Sequence, residues 1–203
     1  MINLAFLASN NGSGMRAVIA AIEAGHLAAR PVLAVSNRQG APALDFAREH
    51  GVATLVIPTI GDPAAADARL AVALADAGAD LVVLSGYLRK LGPRTLAAYG
   101  GRTLNIHPAL LPSHGGAGMY GRRVHEAVIA AGETISGASV HLVDDEYDHG
   151  PVLAQVEVPV IAADDAQSLE ARVTAAEPRL LVETLRRIAS GDLRLVQRIQ
   201  TLG

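Results

Sequence analysis

The 203-residue sequence predicts an α/β domain with a doubly wound, mostly parallel sheet. In its first half, short apolar runs alternate with longer helical patterns, and polar or glycine-rich turns separate them. Strands that alternate with helices of about 10–15 residues are typical of βαβ units. Because crossovers between parallel strands are right-handed, such units are expected to form a doubly wound sheet. Hydrophobic residues make up 50% of the chain, which is enough for one buried core.

The first hundred residues predict four strands and three helices. The first strand ends at a breaker cluster that begins at Ser9, and Ser13 is expected to cap the helix that follows. Gly51 stops the second helix, and the fourth strand leads into Ser85. The predicted strands span residues 2–8, 32–35, 53–57 and 81–84, and the predicted helices span residues 14–24, 41–50 and 63–77.

The remaining residues predict a different pattern. The stretch 107–121 is glycine-rich and aperiodic, and loops of this length are more often functional than accidental. Pro178 lies inside the last predicted helix and is expected to kink or split it. Because no repeat or linker interrupts the chain, we expect one domain over residues 1–203. The predicted strands span residues 102–106, 137–143 and 152–158, and the predicted helices span residues 122–131 and 165–189.

Composition and charge exclude several classes of protein. Without cysteine, the chain has no disulfide and no cysteine-based zinc site, and its seven histidines lack the spacing of a zinc motif, so we expect no metal. A net charge of −3 and 3% aromatic residues disfavour nucleic-acid binding. The chain has no apolar run of the ~18 residues that span a membrane and no basic region typical of a signal peptide. We therefore expect a cytoplasmic globular protein, a monomer or a homodimer, with no membrane or nucleic-acid partner.

The segment Asn10-Asn11-Gly12-Ser13-Gly14 lies between the first predicted strand and the first predicted helix. Parallel sheets bind ligands beyond the carboxyl ends of their strands, and a helix N-terminus offers free N–H groups to an anion. The segment lacks the spacing of a Walker A loop or of a dinucleotide fingerprint. It is therefore either a phosphate site or an ordinary capped turn.

Asn105 and His107 lie at the end of a predicted strand. Residues two apart on a strand point to the same side, so a carboxamide N–H and an imidazole are expected to face one spot. Such a pair is suited to stabilising an oxyanion. The alternative is that both side chains satisfy backbone groups of the following loop.

An acidic run at residues 144–148 follows the strand predicted at residues 137–143. Its spacing is not that of a calcium loop, and a solvated turn is one explanation of it. The other explanation is that one carboxylate turns inward, orients His107 and raises the pKa of that imidazole. The residues alone do not select which acid does so.

These residues resemble a known family. The run Asn105-Ile106-His107-Pro108-Ala109-Leu110-Leu111-Pro112, with the later Asp148-His149-Gly150-Pro151, is similar to the folate-dependent formyltransferases over nearly the whole chain. The resemblance implies a Rossmann-like formyltransferase fold, with a nucleotide- or phosphate-binding half at residues 1–100 and a catalytic, folate-binding half at residues 101–203. The glycine–serine loop and the length favour the branch that formylates glycinamide ribonucleotide. The other matching segments are Asn11-Gly12-Ser13, residues 82–89 and Glu177.

The resemblance also implies a reaction. A formyl group would pass from 10-formyltetrahydrofolate, the co-substrate, to the amine of glycinamide ribonucleotide in purine biosynthesis. Asn105 and a protonated His107 would donate hydrogen bonds to the tetrahedral oxyanion. Asp148 would hold His107 protonated and assist proton transfer. Neither a metal nor a covalent enzyme intermediate is implied.

Binding sites for both small-molecule substrates follow from the same resemblance. Glu177 is expected to bind the ribose hydroxyls, and a cis peptide is expected before Pro112. The substrate phosphate is expected on the backbone N–H groups of Asn11, Gly12, Ser13 and Gly14. The pterin of the reduced folate is expected against Leu88, Arg89 and Leu91 and against the loop 143–148, which includes Val143 and Asp144.

Three features depart from the family pattern. The family commonly has glycine where Asn10 stands and asparagine where Gly14 stands, so side chains contribute differently near the phosphate. The loop 115–121 resembles a longer variant form and is expected to close over the site, with an inert surface loop as the alternative. Alternatives for the function are another 10-formyltetrahydrofolate-dependent formyltransferase or hydrolase, or a non-catalytic nucleotide-binding domain of the same fold.

Overall fold

The computed structural model describes residues 1–195, which form seven strands and six helices. The final eight residues of the predicted domain, 196–203, lie outside the described residues. The strands are β1 (Ile2–Leu7), β2 (Ala29–Ser36), β3 (Ala53–Val56), β4 (Leu81–Leu84), β5 (Thr103–His107), β6 (Ile135–Leu142) and β7 (Val152–Pro159). The helices are α1 (Ser13–Glu23), α2 (Pro42–Glu49), α3 (Pro63–Asp76), α4 (Pro93–Tyr99), α5 (Arg122–Ala130) and α6 (Ala166–Ser190).

The seven strands pair in one sheet in the order β3-β2-β1-β4-β5-β6-β7. Strands β1 to β5 are parallel, whereas β6 and β7 pair antiparallel to their neighbours. The winding of the chain reverses between β1 and β4. At such a switch point, α/β proteins bind ligands beyond the carboxyl ends of the strands. The topology confirms the predicted doubly wound, mostly parallel sheet.

Helices cover both faces of the sheet, and β1 shows how its sequence serves both layers. Leu4 and Phe6 pack in the core that includes α1, α2 and α6, whereas Ala5 and Leu7 pack in the core that includes α3 and α4. All four are fully buried. Since successive strand residues face opposite sides, a continuous apolar run is what a strand covered on both faces requires.

Helix α4 is an element that the sequence analysis missed. The helix has seven residues, and its first turn is held from outside by the buried carboxylate of Asp67 on α3. That carboxylate accepts hydrogen bonds from the backbone N–H groups of Arg94, at 2.8 Å, and Thr95, at 3.0 Å. The cap comes from a residue 27 positions earlier in the chain, so local sequence does not reveal it.

Pro178 was expected to kink or split the last helix, and the split is wrong, because α6 is continuous from Ala166 to Ser190. The kink stays a prediction. Proline removes one backbone hydrogen bond from a helix, here the one to the carbonyl of Thr174. Leu169 and Leu185, on either side of the proline, are fully buried. Packing at both ends of the helix therefore outweighs the local preference to break.

Candidate active site

A cleft of about 730 Å³ opens at the carboxyl ends of the central strands, beside the switch point. Its walls come from the start of α1, the end of β5, the glycine-rich loop before α5, and α6. Small-molecule sites usually span ~300–1,000 Å³, so this cleft is of the right size. The cleft brings together eight of the predicted site residues: Ser13, Gly14, Leu88, Arg89, Asn105, His107, Asp148 and Glu177.

His107 and Asp148 lie side by side in this cleft. Nδ1 of His107 is 3.4 Å from Oδ2 of Asp148. The other ring nitrogen, Nε2, donates a hydrogen bond of 2.8 Å to the carbonyl of His114. The backbone N–H of Gly116 donates to Oδ2 of Asp148 at 3.0 Å. Because Nε2 is already bonded to the loop, Nδ1 is the nitrogen of His107 that can exchange a proton with Asp148 or a substrate.

The protonation of this pair differs from the expectation. Burial lowers the pKa of His107, and it outweighs the Asp148 carboxylate, which raises that pKa. Burial alone raises the pKa of Asp148, but contacts with His141, His107 and the N–H of Gly116 bring it below its ordinary value. Asp148 raises the pKa of His107 as expected, but it does not offset burial, so the net pKa lies below its ordinary value. Both directions favour a neutral imidazole beside a carboxylate at pH 7.

Asn105 is oriented by its partner across the sheet. Strands β5 and β6 pair so that Asn105 lies opposite His141. Nδ1 of His141 donates to the carbonyl of Leu142 at 2.9 Å, so Nε2 is left to accept from Nδ2 of Asn105 at 3.0 Å. Nδ2 also lies 3.5 Å from Oδ1 of Asp148. The amide N–H groups therefore face the same region as the His107–Asp148 pair.

The start of α1 presents free backbone donors. Gly12 has a φ of 61°, a left-handed conformation that favours glycine, and the helix begins at Ser13. The expected Ser13 cap is wrong, because Ser13 is already helical and the Ser85 hydroxyl, after β4, accepts from the Met15 N–H at 2.9 Å. The N–H groups of Ser13 and Gly14 have no acceptor in the described part of the chain and suit an anion.

The departures from the family pattern at Asn10 and Gly14 have structural explanations. A Cβ on Gly14 would lie 2.9 Å from Cδ2 of Leu181 and 3.1 Å from Oγ of Ser85, so glycine suits this close approach. Oδ1 of Asn10 accepts a 2.6 Å hydrogen bond from Nη1 of Arg38. Arg38 also lines the cleft, so Asn10 holds a cation beside the loop.

The predicted folate residues are placed in different parts of the structure. Leu88 and Arg89 line both the cleft and a second cavity of about 330 Å³, which Leu91 also lines. Val143 packs against the core, and Oδ1 of Asp144 accepts from the N–H of Glu146 at 2.9 Å. Within residues 1–195, five predicted residues do not line the cleft: Asn11, Gly12, Leu91, Val143 and Asp144.

Glu177 and His125 bring partly desolvated polar groups to the cleft. Burial raises the pKa of Glu177 to about 7. Burial also lowers the pKa of His125, and its Nδ1 has no hydrogen-bond partner among the residues described. His125 is not among the residues predicted for the site. The one feature of the sequence that pointed to His125 is its polar side chain between the core positions Val124 and Val128.

Ser9 is a second residue that the sequence analysis missed. Its hydroxyl donates to Oδ1 of Asn37 at 2.6 Å and accepts from the N–H of Leu88 at 2.9 Å. The buried side chain thus ties the end of β1 to segments that follow β2 and β4. Ser9 connects the two regions at which the phosphate and the pterin are expected.

The remaining expectations concern the backbone, metals and membranes. The peptide bond between Leu111 and Pro112 is cis, as expected. Among residues 1–195, no group of three or more histidine, cysteine, aspartate or glutamate side chains is placed to hold a metal ion. None of the helices in the same range combines the length and apolarity needed to cross a membrane.

Residues 2–185 match the model of the formyl transferase family. The phosphoribosylglycinamide formyltransferase of Mycobacterium tuberculosis strain H37Rv is 40% identical over 202 residues, covering 98% of this chain and 91% of the relative. The phosphoribosylglycinamide formyltransferase of Escherichia coli is 35% identical over 196 residues, covering 96% of this chain and 90% of the relative. The chloroplastic enzymes of Arabidopsis thaliana and Vigna unguiculata are each 38% identical, and the chain spans 63% and 59% of their lengths.

Solved structures of proteins with the same names have a similar fold. The glycinamide ribonucleotide transformylase 1 of Symbiobacterium toebii superposes with a TM-score of 0.88 at 33% identity, covering 98% of this chain and 92% of that one. The phosphoribosylglycinamide formyltransferase of Brucella melitensis superposes with a TM-score of 0.84 at 36% identity, covering 96% and 99%. Family match, sequence identity and fold together show that the chain belongs to the formyl transferase family, in the group of the phosphoribosylglycinamide formyltransferases.

Proposed function

We propose that this chain transfers the formyl group of 10-formyltetrahydrofolate to the amine of glycinamide ribonucleotide. The observation that carries the proposal is the convergence of Asn105, His107 and Asp148 in a cleft that also contains the free N–H groups at the start of α1. Oxyanion donors, a titratable pair and an anion site are the parts that acyl transfer to a phosphorylated amine requires. Relatives that carry the name of this activity support it.

The ribonucleotide would be held along the α1–α6 side of the cleft. Its phosphate would accept from the N–H groups of Ser13 and Gly14, and the Arg38 guanidinium would add a charged donor. Asn11 and Gly12 would shape the loop rather than touch the phosphate. Glu177 would bind the ribose hydroxyls, since a half-buried carboxyl can accept from a hydroxyl or, when protonated, donate to one.

The folate would enter from the opposite side. Leu88 and Arg89 line the passage between the cleft and the second cavity, where Leu91 provides an apolar wall for the pterin. The loop 143–148 reaches the cleft through Tyr147 and Asp148. Val143 and Asp144 would therefore act by holding the loop, because their side chains face other contacts.

The chemical step would follow from the hydrogen bonds around the cleft. Attack of the substrate amine on the formyl carbon creates a tetrahedral oxyanion. Asn105 would donate one N–H to that oxygen, because one of its two hydrogens has only the 3.5 Å contact with Asp148. Losing one such donor costs about 10²–10³ in rate.

His107 would act through Nδ1. In the resting state this nitrogen is free of hydrogen, because Nε2 donates to the His114 carbonyl and burial disfavours the cation. Nδ1 would take the proton that the attacking amine loses, and Asp148 at 3.4 Å would stabilise the imidazolium that results. The proton would then pass to the departing folate nitrogen, directly or through water that Asp148 holds. His107 would be the protonated donor in the intermediate rather than in the resting protein.

The test is to follow two products in one incubation with 10-formyltetrahydrofolate. With glycinamide ribonucleotide present, the proposal predicts formylated ribonucleotide and free tetrahydrofolate in equal amounts. Formate release that does not depend on the amine would instead show a hydrolase. Binding of the ribonucleotide without turnover would show a non-catalytic domain, and either result would overturn the proposal.

A further inference from the structure

We propose that His114 is a positioning residue for His107: the His114 ring is held by Glu133, and its carbonyl fixes the hydrogen of His107 on Nε2. The arrangement leaves Nδ1 to face Asp148. The rate effects predicted below rest on the proposed function, whereas the position of the ring hydrogen does not.

The hydrogen bond from His107 to the loop decides which ring nitrogen is reactive. Nε2 lies 2.8 Å from the His114 carbonyl oxygen, which accepts a hydrogen but cannot donate one. The tautomer of a neutral imidazole follows from the bond that its other nitrogen makes. A carbonyl at this distance therefore keeps the hydrogen on Nε2 and the lone pair on Nδ1.

The segment 114–116, which carries the His114 carbonyl, also holds Asp148. The N–H of Gly116 donates to Oδ2 of Asp148, the oxygen that faces His107, at 3.0 Å. Gly115 lies between His114 and Gly116 in the chain, and a Cβ added to it would lie 2.6 Å from Cδ2 of Leu111 and 3.2 Å from Cβ of Asp148. The segment thus packs directly against the pair, and its position sets both members at once.

His114 is held in an uncommon backbone conformation. Its φ is 52°, in the left-handed region that non-glycine residues adopt when their surroundings hold them there. The side chain of His114 is held by Glu133, since Nε2 of His114 lies 2.7 Å from Oε1 of Glu133. Glu133 stands shortly after the end of α5, so it gives the loop a fixed point outside the cleft.

Other titratable groups also act on His107, and the test must separate them from His114. Asp148 and His141 approach it from the loop after β6 and from β6 itself, and His125 approaches from α5. Glu133 contacts His114 and not His107, and the charge of the His114 ring lowers the His107 pKa. An effect of Glu133→Gln on His107 therefore has to pass through His114.

The experiment compares Glu133→Gln, His114→Asn and the double variant with the wild type. Asparagine tolerates a left-handed φ, so His114→Asn removes the ring while keeping the turn. Glu126→Gln is the matched control, because it removes an exposed glutamate of α5 and leaves the His114–Glu133 contact in place. Long-range ¹H–¹⁵N spectra at pH 7.5 report the His107 tautomer, assigned with His107→Ala, and steady-state assays give kcat and KM.

We expect the wild type and Glu126→Gln to hold His107 in the single Nε2–H tautomer, and both single variants to show a mixture. We expect kcat to fall roughly tenfold, below the ~10²-fold loss that a 1 Å misplacement can cause. KM for both substrates should stay within about twofold, since neither contact touches a substrate-binding group. The double variant should resemble the single variants, because both remove the same link.

An unchanged tautomer in a folded Glu133→Gln protein would overturn the proposal. So would additive effects in the double variant. If the wild type transfers no formyl group, the proposed function fails, and the tautomer spectra alone then decide the positioning role.

Discussion

Nδ1 of His107 lies 3.4 Å from Oδ2 of Asp148, while Nε2 of the same ring donates to the His114 carbonyl at 2.8 Å. The imidazole is therefore anchored on one side and open to proton exchange on the other. Burial favours the neutral ring and the nearby carboxylate favours the charged one, with burial the stronger effect. A ring in this condition is suited to accept a proton during the reaction and to return it.

Replacing Asp148 with asparagine removes the charge that stabilises the His107 cation. We expect kcat to fall by about 10²–10⁴, the usual contribution of a general acid–base group. The fold should persist, because asparagine keeps an oxygen that can accept from the Gly116 N–H. Near-ultraviolet circular dichroism checks the fold, and a kcat within a factor of two of the wild type would contradict the assigned role.

The same substitution should move the pH dependence in a defined direction. Asp148 raises the pKa of His107, so its removal should lower that pKa further. The acid limb of kcat/KM reports protonation of the free enzyme, and we expect it below pH 6.5 in the wild type and at still lower pH in Asp148→Asn. The measurement is a pH profile of both proteins in one mixed buffer. A limb that moves to higher pH would show that His107 is not the titrating group.

Replacing Glu177 with glutamine should stabilise the protein at alkaline pH. Burial raises the pKa of this carboxyl from 4.5 to about 7, so the folded state binds more protons than the unfolded state between those values. Stability from the neutral carboxyl is present below pH 4.5 and is lost as the pH rises through about 7. Allowing for the residual exposure of the carboxyl, we expect Glu177→Gln to raise the free energy of unfolding, relative to the wild type, by ~1–2 kcal/mol more at pH 8 than at pH 4.5.

Urea unfolding at both pH values measures that gain. An equal difference between Glu177→Gln and the wild type at the two pH values would contradict the effect. The same variant should raise KM for the ribonucleotide, because the carboxylate that would bind the ribose hydroxyls is gone.

Arg38 provides a test of phosphate recognition. A charged hydrogen bond contributes about 1.5–3 kcal/mol, so Arg38→Ala should raise KM for the ribonucleotide at least tenfold and leave kcat nearly unchanged. Arg30, an exposed arginine near the other end of β2, is the matched control. If Arg30→Ala raises KM as much as Arg38→Ala does, the effect is one of overall charge rather than of the site.

Ser85 tests how the N-terminus of α1 is held. Ser85→Ala leaves the Met15 N–H without its acceptor, and losing a helix cap costs about 1–2 kcal/mol. We expect that loss in the free energy of unfolding, together with a higher KM for the ribonucleotide. Ser190→Ala, which changes an exposed hydroxyl at the far end of α6, should change neither quantity by a comparable amount. Loss of stability without a change in KM would separate Ser85 from the phosphate site.

Much of the fold was predictable because its strands are apolar runs closed by turns. Strand β4 was predicted with its observed ends, and β1 was predicted to within one residue. The omission of α4 and the continuity of α6 through Pro178 have one cause. Both depend on tertiary contacts, from Asp67 in one case and from buried leucines in the other, that local sequence does not contain.

The candidate site was predictable where a motif places residues on one strand. Asn105 and His107 face one cleft because they stand two apart on β5. His141 and Ser9 were not assigned to the site, because their contacts with Asn105 and Leu88 require knowledge of which strands are neighbours. The sign of the His107 pKa shift also required the structure, because burial and the Asp148 charge oppose each other.

The proposed reaction is tested most directly by the rate of formyl transfer from 10-formyltetrahydrofolate to glycinamide ribonucleotide, measured for the wild type and for His107→Ala. We expect transfer by the wild type, with kcat/KM about 10²–10⁴ lower in a folded His107→Ala protein. Transfer by His107→Ala at the wild-type rate, or no transfer by the wild type, would contradict the proposal.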